Sequence, residues 1–163
     1  LPPACSAALA LLLALLLAIR LAFWQPHRAL RRLEIGIMYL GYLAIVVQLL
    51  LQGRELLAPP PWLGSLSTHV FTFGAMGLII PAMLIRICKG HTGRALVFDR
   101  LDRSVLWIMI AGFVIRVVLS QLGPGHYLLW IQLAAACWFA CFTLLAWRYI
   151  PILLQPRADG REH

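Results

Sequence analysis

Apolar residues run along this chain in five long blocks, and polar residues are confined to the short stretches between them. The blocks cover about 7–24, 35–51, 66–88, 104–122 and 127–150. Each approaches the roughly 20 apolar residues that a helix needs to cross the hydrocarbon core of a bilayer. The connections hold breakers: Gln25 to Glu34, Gln52 to Ser65 with Pro59-Pro60-Pro61, Lys89 to Arg103, and Gly123-Pro124-Gly125. With no linker or repeat between blocks, the pattern predicts an all-α, polytopic transmembrane bundle of about five helices, one domain over residues 1–163. Six residues without Lys or Arg precede the first block, which is long for the apolar core of a signal peptide, so it reads as a membrane span. An opening Leu1 in place of Met is expected of a trimmed chain, an unusual start codon or an incomplete sequence.

Composition agrees: 62% of the residues are hydrophobic and 12% charged, against about 25% charged in an average soluble domain. A net charge of +8 raises the question of nucleic acid, but the Lys and Arg residues punctuate apolar runs and do not form a patch on a polar surface. Their distribution carries topology. Arg20, Arg28, Arg31 and Arg32 follow the first block, and Arg86, Lys89, Arg94, Arg100 and Arg103 surround the third connection. Arg148, Arg157 and Arg161 close the chain, while the second connection has only Arg54 and the fourth has none. Cytoplasmic loops hold the basic excess, so the N-terminus is expected outside and the C-terminus in the cytoplasm. Trp24, Trp107 and Trp147 then fall at the cytoplasmic interface, and Trp62 and Trp130 at the outer one.

Arg116 breaks the pattern, lying within the fourth block about six residues from its outer end. Burying a guanidinium there costs roughly 3 kcal/mol or more unless it is paired or wetted. Either it snorkels the roughly 9 Å to the interface, or it faces the bundle and marks a site for an anionic group such as a carboxylate. Imidazole is the commonest protein ligand for haem iron, copper and zinc. Of the five histidines, His69 and His126 sort with Arg116 toward the outer side, and His27 and His91 toward the cytoplasm. His69 and His91 are 22 residues apart, roughly 33 Å along a helix, and cannot share one metal. Met76 and Met83 follow His69 on nearly one face, and Cys137 and Cys141 are four apart, but packing explains such spacings better than soft-metal ligation. The four cysteines do not form a disulfide framework. Gly74, Gly77 and Pro81 thin and kink the third helix. Glu34, Glu55, Asp99 and Asp102 fall in or beside loops, and neither a nucleophile with a base nor paired intramembrane carboxylates suggests an enzyme.

The most distinctive stretch is Arg86-Ile87-Cys88-Lys89-Gly90-His91-Thr92-Gly93-Arg94. Gly90 and Gly93 stop the helix, and Arg86, His91, Thr92 and Arg94 supply donors at the cytoplasmic surface. An anion-binding turn and a basic helix terminus that fixes topology explain it equally well.

These residues resemble the NnrS family, polytopic bacterial membrane proteins containing haem and copper and linked to the nitric oxide response. The resemblance rests on His69, Gly74 and Gly77, then Arg86 with Gly90-His91-Thr92-Gly93-Arg94. It continues with Gly112 to Arg116, with Trp138 and Phe142, and with Pro156-Arg157 and Asp159-Gly160-Arg161. It covers roughly residues 66–161 and corresponds to the C-terminal part of a longer family member, helices one and two matching only in hydropathy. The resemblance implies a metalloprotein of the bacterial inner membrane that mitigates nitric oxide or nitrosative stress. It implies His69 as haem axial ligand with His126 as partner, and Arg116 for the propionates. It also implies a cytoplasmic site at His91, Arg86 and Arg94 where copper or a regulatory contact sits. Expected partners are the lipid bilayer, other membrane helices or subunits, and nitric oxide as ligand, with no nucleic acid. A small anion transporter or channel subunit, with Arg116 lining the path, is the first alternative, and a structural partner in a larger membrane complex is the second.

Overall fold

The structure, a computed structural model, describes residues 2–58, 64–158 and 160. The calls above on Pro59 to Trp62, Asp159, Arg161 and His163 lie outside the described residues. Five helices are long and apolar enough to cross a membrane: α1 Pro3–Phe23, α2 Leu33–Leu57, α3 Leu66–His91, α4 Arg100–Leu122 and α5 Pro124–Leu153. No strand occurs among the described residues, and a short helical turn, Pro26–Ala29, connects α1 to α2. The expected all-α bundle with five spans is therefore present.

The helices overrun their apolar blocks for local reasons. α2 continues to Leu57 through Gly53, which was read as part of a connection. There a Cβ would lie 2.8 Å from the Leu11 side chain, so this glycine serves helix contact and does not break the helix. α4 begins at Arg100 because Asp99 caps it: the Asp102 backbone N–H donates to Asp99 Oδ1 at 3.0 Å, and the Asp99 N–H donates to Asp102 Oδ2 at 3.2 Å.

Among the described residues three stretches depart from α geometry, one of them the 3-10 turn Pro124–His126 that opens α5. Val70–Met76 in α3 and Ile115–Leu119 in α4 are π-helical, each widening the turn to i→i+5 bonding. The kink expected from Gly74, Gly77 and Pro81 takes this form in its first part, with Pro81 inside the α-helical continuation.

The chain divides into two compact units, Leu1–Gly77 and Leu78–His163. In the first, α1 buries Ala7, Ala14 and Leu21, a seven-residue stripe, against α2, which buries Gly36, Ile37, Gly41, Ala44, Val46 and Gly53. The pair is antiparallel: Gly53 meets Leu11, and Tyr39 donates to the Leu21 carbonyl at 3.4 Å. Small residues let the backbones close because lipid supplies no hydrophobic drive between helices.

In the second unit α4 and α5 also run antiparallel, joined at Gly123-Pro124-Gly125. Trp130 Nε1 donates to the Gly123 carbonyl at 2.9 Å and latches this turn. The inner face of α4 carries Val105, Met109, Gly112, Arg116 and Ser120, and that of α5 carries Ala134, Cys141, Leu145 and Tyr149. At 100° per residue, the steps of four, three, four and four residues keep these positions of α4 within an arc of about 80°, so Arg116 and Ser120 continue the inward face across the π segment.

Candidate functional site

Polar chemistry in the second unit gathers at the two ends of the α4–α5 pair. At the basic end the signature turn closes α3. The Arg94 N–H reaches the Lys89 carbonyl at 2.9 Å and the Gly93 N–H reaches the Gly90 carbonyl at 3.2 Å, the paired bonds of a Schellman cap. Gly93 has φ +68°, which an L side chain resists. The stop is therefore Gly93 alone; Gly90, expected to share that role, lies inside α3. Thr92 is buried and donates through Oγ1 to the Cys88 carbonyl at 2.7 Å, and its own carbonyl accepts the Ala158 N–H at 2.9 Å. The turn is thus tied to the segment following α5.

Beneath it lies an ion cluster. Lys89, 6% exposed, donates to Asp102 Oδ2 and to the Val97 carbonyl, both at 2.5 Å. Asp102, 1% exposed, also accepts the Tyr149 hydroxyl at 2.7 Å, and Arg148 Nε lies 3.6 Å away. Arg148 pairs in addition with Asp99. Burial opposes the Asp99 charge, but the Asp102 backbone N–H and then Arg148 and Lys89 outweigh it and hold the carboxyl below its ordinary 3.8. The ring of Phe98 lies 5.9 Å from the Arg86 guanidinium and 5.7 Å from Lys89 Nζ. Every carboxylate oxygen of Asp102 is engaged, the condition under which a buried ion pair is tolerated.

The opposite end holds Arg116, 6% exposed on the π-helical turn of α4. Snorkelling to water is therefore not its solution. Its Nη2 donates to the Tyr127 hydroxyl at 3.3 Å and the guanidinium stands 5.5 Å from that ring. Ser120 Oγ caps the Arg116 carbonyl. Among the described residues no carboxylate pairs with Arg116.

A family model described as NnrS protein matches residues 1–157. The chain belongs to the NnrS family. The match takes in α1 and α2, so the resemblance is wider than the 66–161 stretch and the bare hydropathy expected of the first two helices. No curated protein and no solved structure matches.

Within this NnrS chain the histidines are dispersed. His69 belongs to the first unit, half-buried at the entry to the π segment of α3, with its ring 6.5 Å from that of Phe73. His126 is exposed in the turn opening α5, adjacent in sequence to the Tyr127 that Arg116 holds. His91 is exposed on the last turn of α3, and His27 on the short helical turn. Among the described residues no three His, Cys, Asp or Glu side chains group closely enough to hold a metal. Met76 and Met83, expected to pack, lie on the outward face of α3, and all four cysteines are free thiols. Asp102, Lys89, Tyr149 and Arg148 are the polar residues that the sequence reading missed as a group. Asp99-x-x-Asp102 was a readable capping signal, but nothing in the fifth apolar block distinguished Tyr149.

Proposed function

We propose that this NnrS chain is a haem-holding membrane metalloprotein of the nitric oxide and nitrosative stress response. It would lie in the bacterial inner membrane with its N-terminus outside and its basic end in the cytoplasm. The observation that carries the reading is Arg116, a buried guanidinium in an apolar helix with a phenol, and among the described residues no carboxylate, for a partner. A buried cation of this kind calls for an anion, and a porphyrin propionate supplies one with the planar geometry a guanidinium prefers.

The donor types fit haem, which needs only one or two axial imidazoles, better than copper held by a cluster. His69 is the candidate axial ligand of the first unit, because it stands at the entry to a π turn and such turns often mark functional positions. In the second unit Arg116 would hold the propionate, Tyr127 would orient the guanidinium, and His126 is the further imidazole. His91, with Arg86 and Arg94 near it in sequence, is the candidate for copper or a regulatory contact. When bound, haem iron or copper supplies an open coordination position for nitric oxide.

The test is an absorption spectrum and metal analysis of the detergent-purified chain, oxidised and reduced, before and after nitric oxide. A Soret band that shifts with the gas, and is lost in His69→Ala, is expected. A folded, colourless and metal-free protein overturns the haem reading. The same buried Arg116 also favours a second reading, an anion path; liposome uptake that requires Arg116 and no metal would select it.

A further inference from the structure

We propose that the second unit carries a site for one anionic phospholipid, an acyl chain lying between α3 and α5 and its phosphate held by Arg94. This unit carries a groove of about 320 Å³ lined by Leu84 and Cys88 of α3 and by Phe142, Ala146, Tyr149 and Leu153 of α5, among others. That volume matches the lower range of small-molecule sites, roughly 300–1,000 Å³. From Phe142 to Leu153 the groove follows α5 for roughly 16 Å, about half of a 30 Å hydrocarbon core. It is thus as long as one leaflet is deep. Its lining is apolar almost throughout, and the Tyr149 hydroxyl is turned away onto Asp102. A hydrocarbon chain is the occupant such a trough accepts.

What selects the headgroup lies just beyond the groove's basic end. Leu153 is followed two residues later by Gln155, whose Oε1 accepts Arg94 Nη2 at 3.3 Å, so that the signature turn bridges to the end of α5. Arg94 Nη1 is shielded from water and has no hydrogen-bond partner among the described residues. The nearby carboxylates do not balance this guanidinium, because Asp102 is engaged by Lys89 and Tyr149, and Asp99 by Arg148. A shielded donor beside an apolar trough, at an end of the unit where the described residues from Arg86 to Arg157 set seven Lys and Arg, Arg116 aside, against two acids, is complementary to a lipid phosphate bearing net negative charge.

The experiment measures binding of phosphatidylglycerol to the detergent-purified full chain by native mass spectrometry, with phosphatidylcholine and free glycerol phosphate as comparators. Retention of about one phosphatidylglycerol, weakened about fivefold by Arg94→Gln and abolished by Ala146→Phe, is expected. Arg94→Gln keeps a polar, planar donor but is shorter and uncharged, and Arg94→Lys, which keeps the charge, should retain most of the binding. Should Ala146→Phe fail to fold, Leu84→Trp plugs the same groove from α3. Equal binding of phosphatidylcholine overturns the role of charge, and equal binding of glycerol phosphate means that a free phosphate is the ligand. Phosphatidylglycerol binding that survives both plugs is annular lipid only and overturns the site. None of these readouts depends on haem or on nitric oxide.

Discussion

The two ends of the α4–α5 pair solve the same problem in opposite ways. At one end Lys89, Asp102, Tyr149, Arg148 and Asp99 bring charges of both signs out of water together, each oxygen and ammonium finding a partner. At the other, Arg116 is nearly as deeply buried and, among the described residues, its side chain has only the Tyr127 phenol. A neutralised cluster needs nothing further and serves to lock α3, α4 and α5 in place. A lone cation keeps an unspent attraction for an anion, and membrane proteins retain such residues for function more often than for stability. Charge balance, and not burial or residue type, separates scaffold from site here.

Substitutions should break that contrast with opposite signs. Asp102→Leu strands the Lys89 ammonium in an apolar setting and is expected to destabilise by about 3–5 kcal/mol, seen as a collapse of melting temperature and of monodisperse yield in detergent. Adding Lys89→Met should restore most of the loss, since replacing a buried pair by apolar side chains is often neutral. A mild effect of the single substitution would mean that the cluster is wetted and that the contrast fails. Arg116→Leu should instead raise stability by about 1–3 kcal/mol while erasing any anionic ligand, because it removes a desolvated charge without stranding another. A loss of stability of that size would reclassify Arg116 as scaffold.

Smaller effects sharpen the picture at the basic end. Gly93→Ala forces an L residue into φ +68° and should cost about 1–2 kcal/mol, measurable by thermal denaturation, whereas Gly90→Ala, with open space around the new Cβ, should be neutral or mildly stabilising. Asp99 gives the weakest effect, because its side chain is 43% exposed and solvent screens its pair with Arg148. Its depressed folded-state pKa means that its contribution is present above the ordinary carboxylate value and is lost as pH falls through the folded one. A melting temperature that declines in the acid range, and less steeply in Asp99→Asn, checks this sign.

Much of this was legible in the chain itself. Five apolar blocks fix five spans, because hydrocarbon tolerates no other backbone solution than a closed barrel. Arg116 stood out because a guanidinium within such a block has no ordinary reason to be there. The ends of the helices were less legible: Gly53 fell within the second connection, and the Leu11 side chain packed on it shows why it belongs to α2. Asp102 looked like a loop residue because it adjoins one, and its burial depends on Lys89 and Tyr149, 13 and 47 residues away in sequence. Hydropathy also carries no trace of the two π segments, since it counts side chains and not hydrogen-bond spacing.

The π segment Ile115–Leu119 has a further consequence, for insertions and deletions. Such a stretch accommodates surplus residues without breaking the helix, so removing one would relax the backbone toward ordinary α geometry. Five residues of a π turn sweep about the same angle as four of an α turn, so everything beyond it would keep its rotational phase. Ser120 would stay on the interior face, and the Gly123 turn would stay at the Trp130 latch. An ordinary stretch of α4 has no such slack: the same deletion there would turn everything beyond it by about 100° and present the last turn to the wrong neighbours.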